Sequence, residues 1–203
     1  MVYGGYEGSK VISCERCPAL VSSRSMIVNG DGKMNAEILF VGEGPGREED
    51  ISGKPFVGRS GLVLDRSLQE NGISRGDVRI TNCVRCRPPE NRNPSKKELS
   101  NCKNHLYTEI ALVDPKLIVA LGRVPSEHLL QREVLVTKEA GEVELVNIEG
   151  VDRSILICIP PAATLYNPNQ KVIFESAISI AVELVGLKMK GAKKKYCGYD
   201  FGA

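Results

Sequence analysis

A chain of 203 residues with 42% hydrophobic content can bury one good core, so a single domain over residues 1–203 is expected. No run of eighteen apolar residues occurs, which excludes a membrane-spanning helix, and the opening MVYGGYEGSK lacks the charged head and apolar middle of a secretory leader. A cytoplasmic location follows, where the seven cysteines stay unpaired, while a net charge of +2 excludes no class of partner.

In chain order, Cys14 and Cys17 form a CxxC ahead of any regular element. Residues 37–41, with the apolar run Ile38-Leu39-Phe40-Val41, predict a buried strand that empties into GEGPGREEDISGKPFVG, from Gly42 to Gly58. A strand ending in a Gly-rich, acid-bearing loop is where an open α/β sheet builds its site. The loop is no P-loop: it has no Lys-Ser/Thr ending, and Glu43, Glu48, Glu49 and Asp50 would repel a phosphate. Carboxylates around the isolated Phe56 point to a pocket that stacks a flat ring beside an acid.

Leu62, Val63, Leu64 and Leu68 predict a helix from Gly61 to Glu70, ended by Gly72. Val78 to Asn82 alternates as a second strand. Arg85, Arg87 and Arg92 then cluster around the RPPENRNP loop, whose prolines can hold them rigid and aim them at phosphates. Ser95 with Glu98 makes a capping box for a helix reaching about Val113, where Asp114-Pro115 stops it.

Leu117 to Leu121 is a central parallel strand, Val124 to Gln131 a short helix, and residues 134–159 hold two or three strands turning at Gly141 and Gly150. After a loop from Pro160 to Pro168, Lys171 to Leu187 predicts a terminal amphipathic helix. Lys188, Lys190 and Lys193 to Lys195 read as a solvated basic end. The alternation makes this α/β, a three-layer α/β/α sandwich around a four- to five-stranded, mostly parallel sheet.

Cys86 follows the second strand and Cys102 lies in the next helix. A metal on Cys14, Cys17, Cys86 and Cys102 would tie the N-terminal segment to the RPPENRNP loop. Zinc and a 4Fe–4S cluster both accept four thiolates, spacing does not separate them, and plain buried thiols are the alternative.

The series GEGPGREED, GKPFVGRSG, TNCVRCRPPENRNP with downstream Cys102, DPKLIVALG and PAATLYNP resembles the iron–sulfur (family 4) uracil-DNA glycosylases, in order from residue 14 to about 170. The resemblance implies an α/β/α sandwich of their type, removal of uracil from DNA, and a 4Fe–4S cluster on Cys14, Cys17, Cys86 and Cys102. It implies that Phe56 stacks on the flipped base, that Asn82 reads the uracil edge, and that Gly44 and Gly46 let backbone N–H groups approach it. Glu43 falls at the pocket wall, and Glu49 is the first choice for positioning water or stabilising the sugar cation; Glu48 and Asp50 are expected to be solvated. Leu165 is the candidate wedge into the duplex, with Tyr166 beside it.

The chain departs from the pattern at Pro160, where the family carries a His that donates to the uracil oxygen gaining charge. Proline has no N–H, and losing such a donor costs about 10² to 10³ in rate. His105 and His128, the two histidines, are expected to be surface or structural residues. The expected activity is hydrolysis of the uracil N-glycosidic bond, slowed or redirected by Pro160; a non-catalytic iron–sulfur DNA-binding protein is the alternative. Expected partners are single- or double-stranded uracil-containing DNA, with no membrane, for a monomer near the nucleoid.

Overall fold

The computed structural model describes residues 5–186, so the lysines from Lys188 onward and Cys197 lie outside the described residues. A hairpin of β1 (Gly5–Glu7) and β2 (Lys10–Ser13) precedes the short α1 (Pro18–Ser23). There follow β3 (Asp31–Gly32), β4 (Ile38–Gly42), α2 (Arg47–Ser52), α3 (Arg59–Glu70), β5 (Arg79–Asn82), α4 (Lys96–Val113) and β6 (Leu117–Leu121). The order closes with α5 (Arg123–Leu130), α6 (Val136–Glu139), β7 (Val143–Ile148), β8 (Val151–Cys158) and α7 (Pro168–Leu184).

The main sheet runs β3-β5-β4-β6-β8-β7, six strands rather than the four or five expected. Its centre, β5-β4-β6-β8, is parallel, and both edges are antiparallel. The excess lies at these edges: a two-residue strand without an apolar signal, and a hairpin strand whose exposed side chains, Val143, Leu145 and Asn147, are mostly apolar and do not alternate cleanly.

Every residue of β4 is buried, as a strand covered on both faces must be. Ile38 and Phe40 pack with Leu64 and Leu68 of α3 and Phe174 and Ile178 of α7. Leu39 and Val41 point the other way, toward Leu106 and Ile110 of α4 and Leu129 of α5. The period of two thus divides one strand between two cores and produces the three layers. Each such Leu, Ile or Phe contributes about 1.5–3 kcal/mol through burial.

The capping box opens α4 as expected: Ser95 Oγ accepts from the Glu98 N–H at 3.2 Å, and Glu98 Oε2 accepts from the Ser95 N–H at 2.7 Å. The last helix begins earlier than expected, because Asn167 caps it by accepting from the N–H groups of Asn169 and Gln170, with Pro168 at its first position.

Strand order decides where a site can form. The chain passes from β4 outward to β5, then returns across β4 to place β6 on its other side. The carboxyl ends of β4 and β6 therefore diverge at a switch point, leaving a crevice between the loops that follow them.

Candidate active site

A cavity of about 340 Å³ occupies this crevice. Its lining includes Glu43 and Gly44 from the loop after β4, Gly122 and Arg123 from the β6–α5 turn, Pro160 from the loop after β8, and Phe56. Asn82 lies immediately behind: in the parallel register it pairs with Gly42. A Cβ on Gly42 would stand 2.5 Å from both Asn82 Oδ1 and Phe56 Cζ, so only glycine lets the amide and the ring converge there. Asn82 is 2% exposed, and its Oδ1 has no hydrogen-bond partner among the described residues. An unsatisfied buried acceptor costs about 1–3 kcal/mol, which marks the amide as held ready for something else.

Phe56 is held in place through its backbone, which adopts a left-handed φ of 52°. Arg75 secures it, donating from Nη1 to the Phe56 carbonyl at 2.9 Å and from Nη2 to the Pro55 carbonyl. Asp65 and Asp31 orient that guanidinium at 3.2 and 3.4 Å. Gly61 permits the close approach of α3, since a Cβ there would fall 1.9 Å from the Phe56 oxygen. Sequence reasoning missed Arg75, whose neighbours Ser74 and Asp77 form a capping box for a single 3-10 turn and carry no sign of a site.

The two acids differ in where they sit: Glu43 lies at the cavity wall, as expected, and Glu49 does not. Glu49 lies outside the cavity lining, with Oε2 accepting from the Gly46 N–H at 3.1 Å and Oε1 from the Val57 and Gly58 N–H groups at 3.0 and 2.9 Å. Both oxygens accept backbone N–H groups that close the loop from Gly46 to Gly58, so Glu49 holds the segment carrying Phe56 and lies off the cavity lining, where a water-positioning acid is expected. Glu43 is the carboxylate at the cavity, and burial raises its pKa, a rise that the Arg123 charge opposes. Gly44 also lines the cavity, where a Cβ would crowd Val84 at 2.8 Å. Gly46 is the N-cap of α2 and leaves room for Glu49 instead. Asp50 corrects a further expectation: it is 1% exposed, and both its oxygens accept from the Ser25 N–H at 2.9 Å. Glu48 is exposed, as expected.

Of the three arginines expected to meet DNA, Arg85 does not face solvent. It is 3% exposed, paired through Nη2 with Glu109, and donates to Thr81 and to the His105 carbonyl. Arg79 reaches the same carboxylate at 2.7 Å. Burial alone would leave these cations uncompensated, and Glu109 compensates both, so Arg85 is an internal strut between β5 and α4. Arg87 is partly exposed and donates to Asn91 Oδ1 at 2.8 Å. Arg92 is exposed but holds Glu98 in a two-point pair at 2.8 and 2.7 Å, which pulls that carboxyl down to about 2. Leu165 and Tyr166 are 39% and 75% exposed, and Arg59 donates to the Tyr166 hydroxyl at 3.2 Å.

Cys14, Cys17, Cys86 and Cys102 line one hollow together with Arg24, Arg85 and His105. The N-terminal segment is bound to α4 by a reciprocal pair: Asn101 Nδ2 donates to the Arg16 carbonyl at 2.9 Å, and Arg16 Nη1 donates to the Asn101 carbonyl at 3.0 Å. Three sulfurs have polar neighbours: Arg24 Nη1 donates to Cys86 at 3.1 Å, Asn101 Nδ2 to Cys17 at 3.4 Å, and His105 Nε2 lies 3.5 Å from Cys14. Burial raises the thiol pKa of Cys17 and Cys86, and pushes Cys102 up to about 12. Cys83 and Cys158 sit apart in the two cores, each fully buried. His105 is buried and so structural, while the Nε2 of His128 is buried without a partner among the described residues.

Comparison with known proteins agrees with this geometry. The family model of the uracil DNA glycosylase superfamily matches residues 29–179. The chain is 37% identical over 183 residues to a type-4 uracil-DNA glycosylase of Archaeoglobus fulgidus, covering 88% of this chain and 92% of that protein. It is 40% identical over 171 residues to the type-4 uracil-DNA glycosylase of Saccharolobus solfataricus, covering 82% and 79%. Against that of Thermotoga maritima it is 44% identical over 133 residues, covering 65% and 69%. With a cavity at the sheet's switch point and kinship across most of its length, the chain belongs to the type-4 uracil-DNA glycosylases of the uracil DNA glycosylase superfamily.

Proposed function

We propose that this protein hydrolyses the N-glycosidic bond of uracil in DNA and leaves an abasic site. One observation carries the reading: a buried amide with an open acceptor and a stacking ring converge on Gly42, beside a cavity holding a single carboxylate. A flat base with a donor and acceptors on one edge fits that set, and reaching it requires the nucleotide to leave the helix. Phe56 stacks on the base and Asn82 reads its edge. Glu43 faces the sugar, where it positions water and offsets the charge of the oxocarbenium-like centre. Tyr166 and Leu165 fill the gap in the duplex, and Arg87 and Arg59 meet phosphates near the cavity.

The four-cysteine hollow supports a 4Fe–4S cluster. Burial makes bare thiolates costly there, and donors at the sulfurs suit thiolates bound to iron. The cluster would brace the N-terminal segment against α4 and the loop carrying Arg87. On this reading the protein is one domain with an N-terminal cluster-binding segment, and it acts as a cytoplasmic monomer on chromosomal DNA. No helix among the described residues is long and apolar enough to cross a membrane.

The test is single-turnover cleavage of a uracil-bearing oligonucleotide by wild type, Phe56→Ala and Asn82→Ala. Wild type should produce abasic sites, and each variant should lose at least tenfold in rate. An intact oligonucleotide after long incubation with cluster-loaded wild type overturns the reading.

A further inference from the structure

Breaking the bond between C1′ and N1 sends its electron pair out with the base, where it spreads onto the ring oxygens. Water adds to C1′ and gives its proton to the Glu43 carboxylate, and the base leaves as an anion that solvent protonates. The cavity therefore needs a group for negative charge opposite the one for positive charge. Pro160, on the cavity wall, offers no N–H.

The wall continues directly from Pro160 to the start of α5. A Cβ on Gly122 would meet the Pro160 ring at 3.2 to 3.6 Å, so proline and the β6–α5 turn are in contact. Gly122, with a φ of 109°, turns the chain so that Arg123 opens α5 on the cavity. Arg123 is the one cationic side chain among the cavity's lining residues; Ser60 and Asn93 offer only neutral donors. We propose that Arg123 holds the departing uracil anion and so takes over the work of the absent donor at Pro160. This rests on the glycosylase reading above.

Three features make the residue suited to the task. Its charge is permanent, so a bond to the developing anion is charge-assisted and strengthens as the C1′–N1 bond breaks. The N-terminal end of α5 adds positive potential at the same place. Its present partner, Glu127 at 3.1 Å, lies on an exposed face where the side chain of Arg123 is 59% accessible. Such a pair opens at little cost, so the guanidinium can exchange the carboxylate for a base. Glu43 already senses the arginine's charge, which places the two groups in one electrostatic field across the cavity.

The experiment compares wild type, Arg123→Gln, Arg123→Lys and Arg123→Gln with Pro160→His, all as cluster-loaded full-length protein under single-turnover, enzyme-saturating conditions. Each is tested on oligonucleotides bearing uracil or 5-fluorouracil, whose anion is the more stable leaving group. Arg123→Gln should lower the uracil rate about 10²-fold but the 5-fluorouracil rate no more than tenfold. Arg123→Lys should fall between, and Pro160→His should restore part of the loss. A change below threefold in Arg123→Gln, or an equal fall on both bases, overturns the proposal while the glycosylase reading stands. Failure of wild type on both bases overturns the glycosylase reading itself, and the proposal with it.

Discussion

Glu109 and Glu43 are both acids set against the ends of the same parallel sheet, yet their surroundings have opposite effects. Glu109 receives Arg79, Arg85 and Thr81, and those cations hold its pKa below the ordinary carboxylate value despite burial. Glu43 gains no such company: burial raises its pKa, and only the Arg123 charge pulls the other way. A carboxylate answered from all sides fixes architecture. One left with burial against it, in a cavity, is poised to bind or to take a proton.

The contrast breaks most visibly at Glu109. Glu109→Ala leaves two buried guanidinium groups without their counter-charge, a loss of about 3–5 kcal/mol. For a chain of this size that lowers Tm by roughly 10 °C or more. A thermal melt within a degree or two of wild type would show that the strut between β5 and α4 carries no load.

Glu43→Gln should do the reverse. Folding stability should hold within about 1 kcal/mol, because the amide keeps the shape and sheds a disfavoured charge, while the single-turnover rate falls about 10²-fold, near 2.7 kcal/mol of barrier. A variant that keeps wild-type activity would send the search for the sugar-facing group elsewhere in the cavity.

The same acid sets the pH dependence. Since the folded pKa is raised, the active carboxylate form accumulates only as pH climbs above the ordinary glutamate range. The acid limb of the rate profile should therefore lie above 4.5, the ordinary glutamate value, and vanish in Glu43→Gln. Arg123→Gln, which removes the opposing charge, should move that limb to higher pH. A limb that stays put in Arg123→Gln separates the two groups.

Which parts of this could be read from residues alone follows from how far apart the partners are in sequence. The capping box at Ser95 and Glu98 spans three residues and was legible, as was the all-buried β4 with its Gly-rich exit. Phe56 and Asn82 were singled out through family resemblance, and the structure shows that both approach Gly42. Asp50 and Arg85 were misread because their partners, Ser25 and Glu109, stand about two dozen residues away in other elements. Glu49 failed for a subtler reason: its partners are backbone N–H groups, which every sequence has and none displays. Arg123 stood just outside the predicted helix from Val124 and carried no signal of its own, because its closeness to Pro160 arises only from the packing of that ring on Gly122.

The smallest effect expected concerns the two loop arginines that the sequence treated alike. Arg87, partly exposed and with its side chain held among the described residues by Asn91, can turn toward a phosphate; Arg85 is enclosed. Arg87→Ala should weaken DNA binding by less than about tenfold for uracil-bearing and undamaged duplexes alike, and lower the salt slope by about one. Arg85→Lys should leave the salt slope unchanged and instead lower stability, because one ammonium cannot reach Glu109, Thr81 and the His105 carbonyl together. Titrations of each variant at several salt concentrations, paired with melting curves, decide the matter: if Arg85→Lys flattens the salt dependence as Arg87→Ala does, the buried strut is also part of the DNA-facing surface, and the division between supporting and contacting residues fails at that loop.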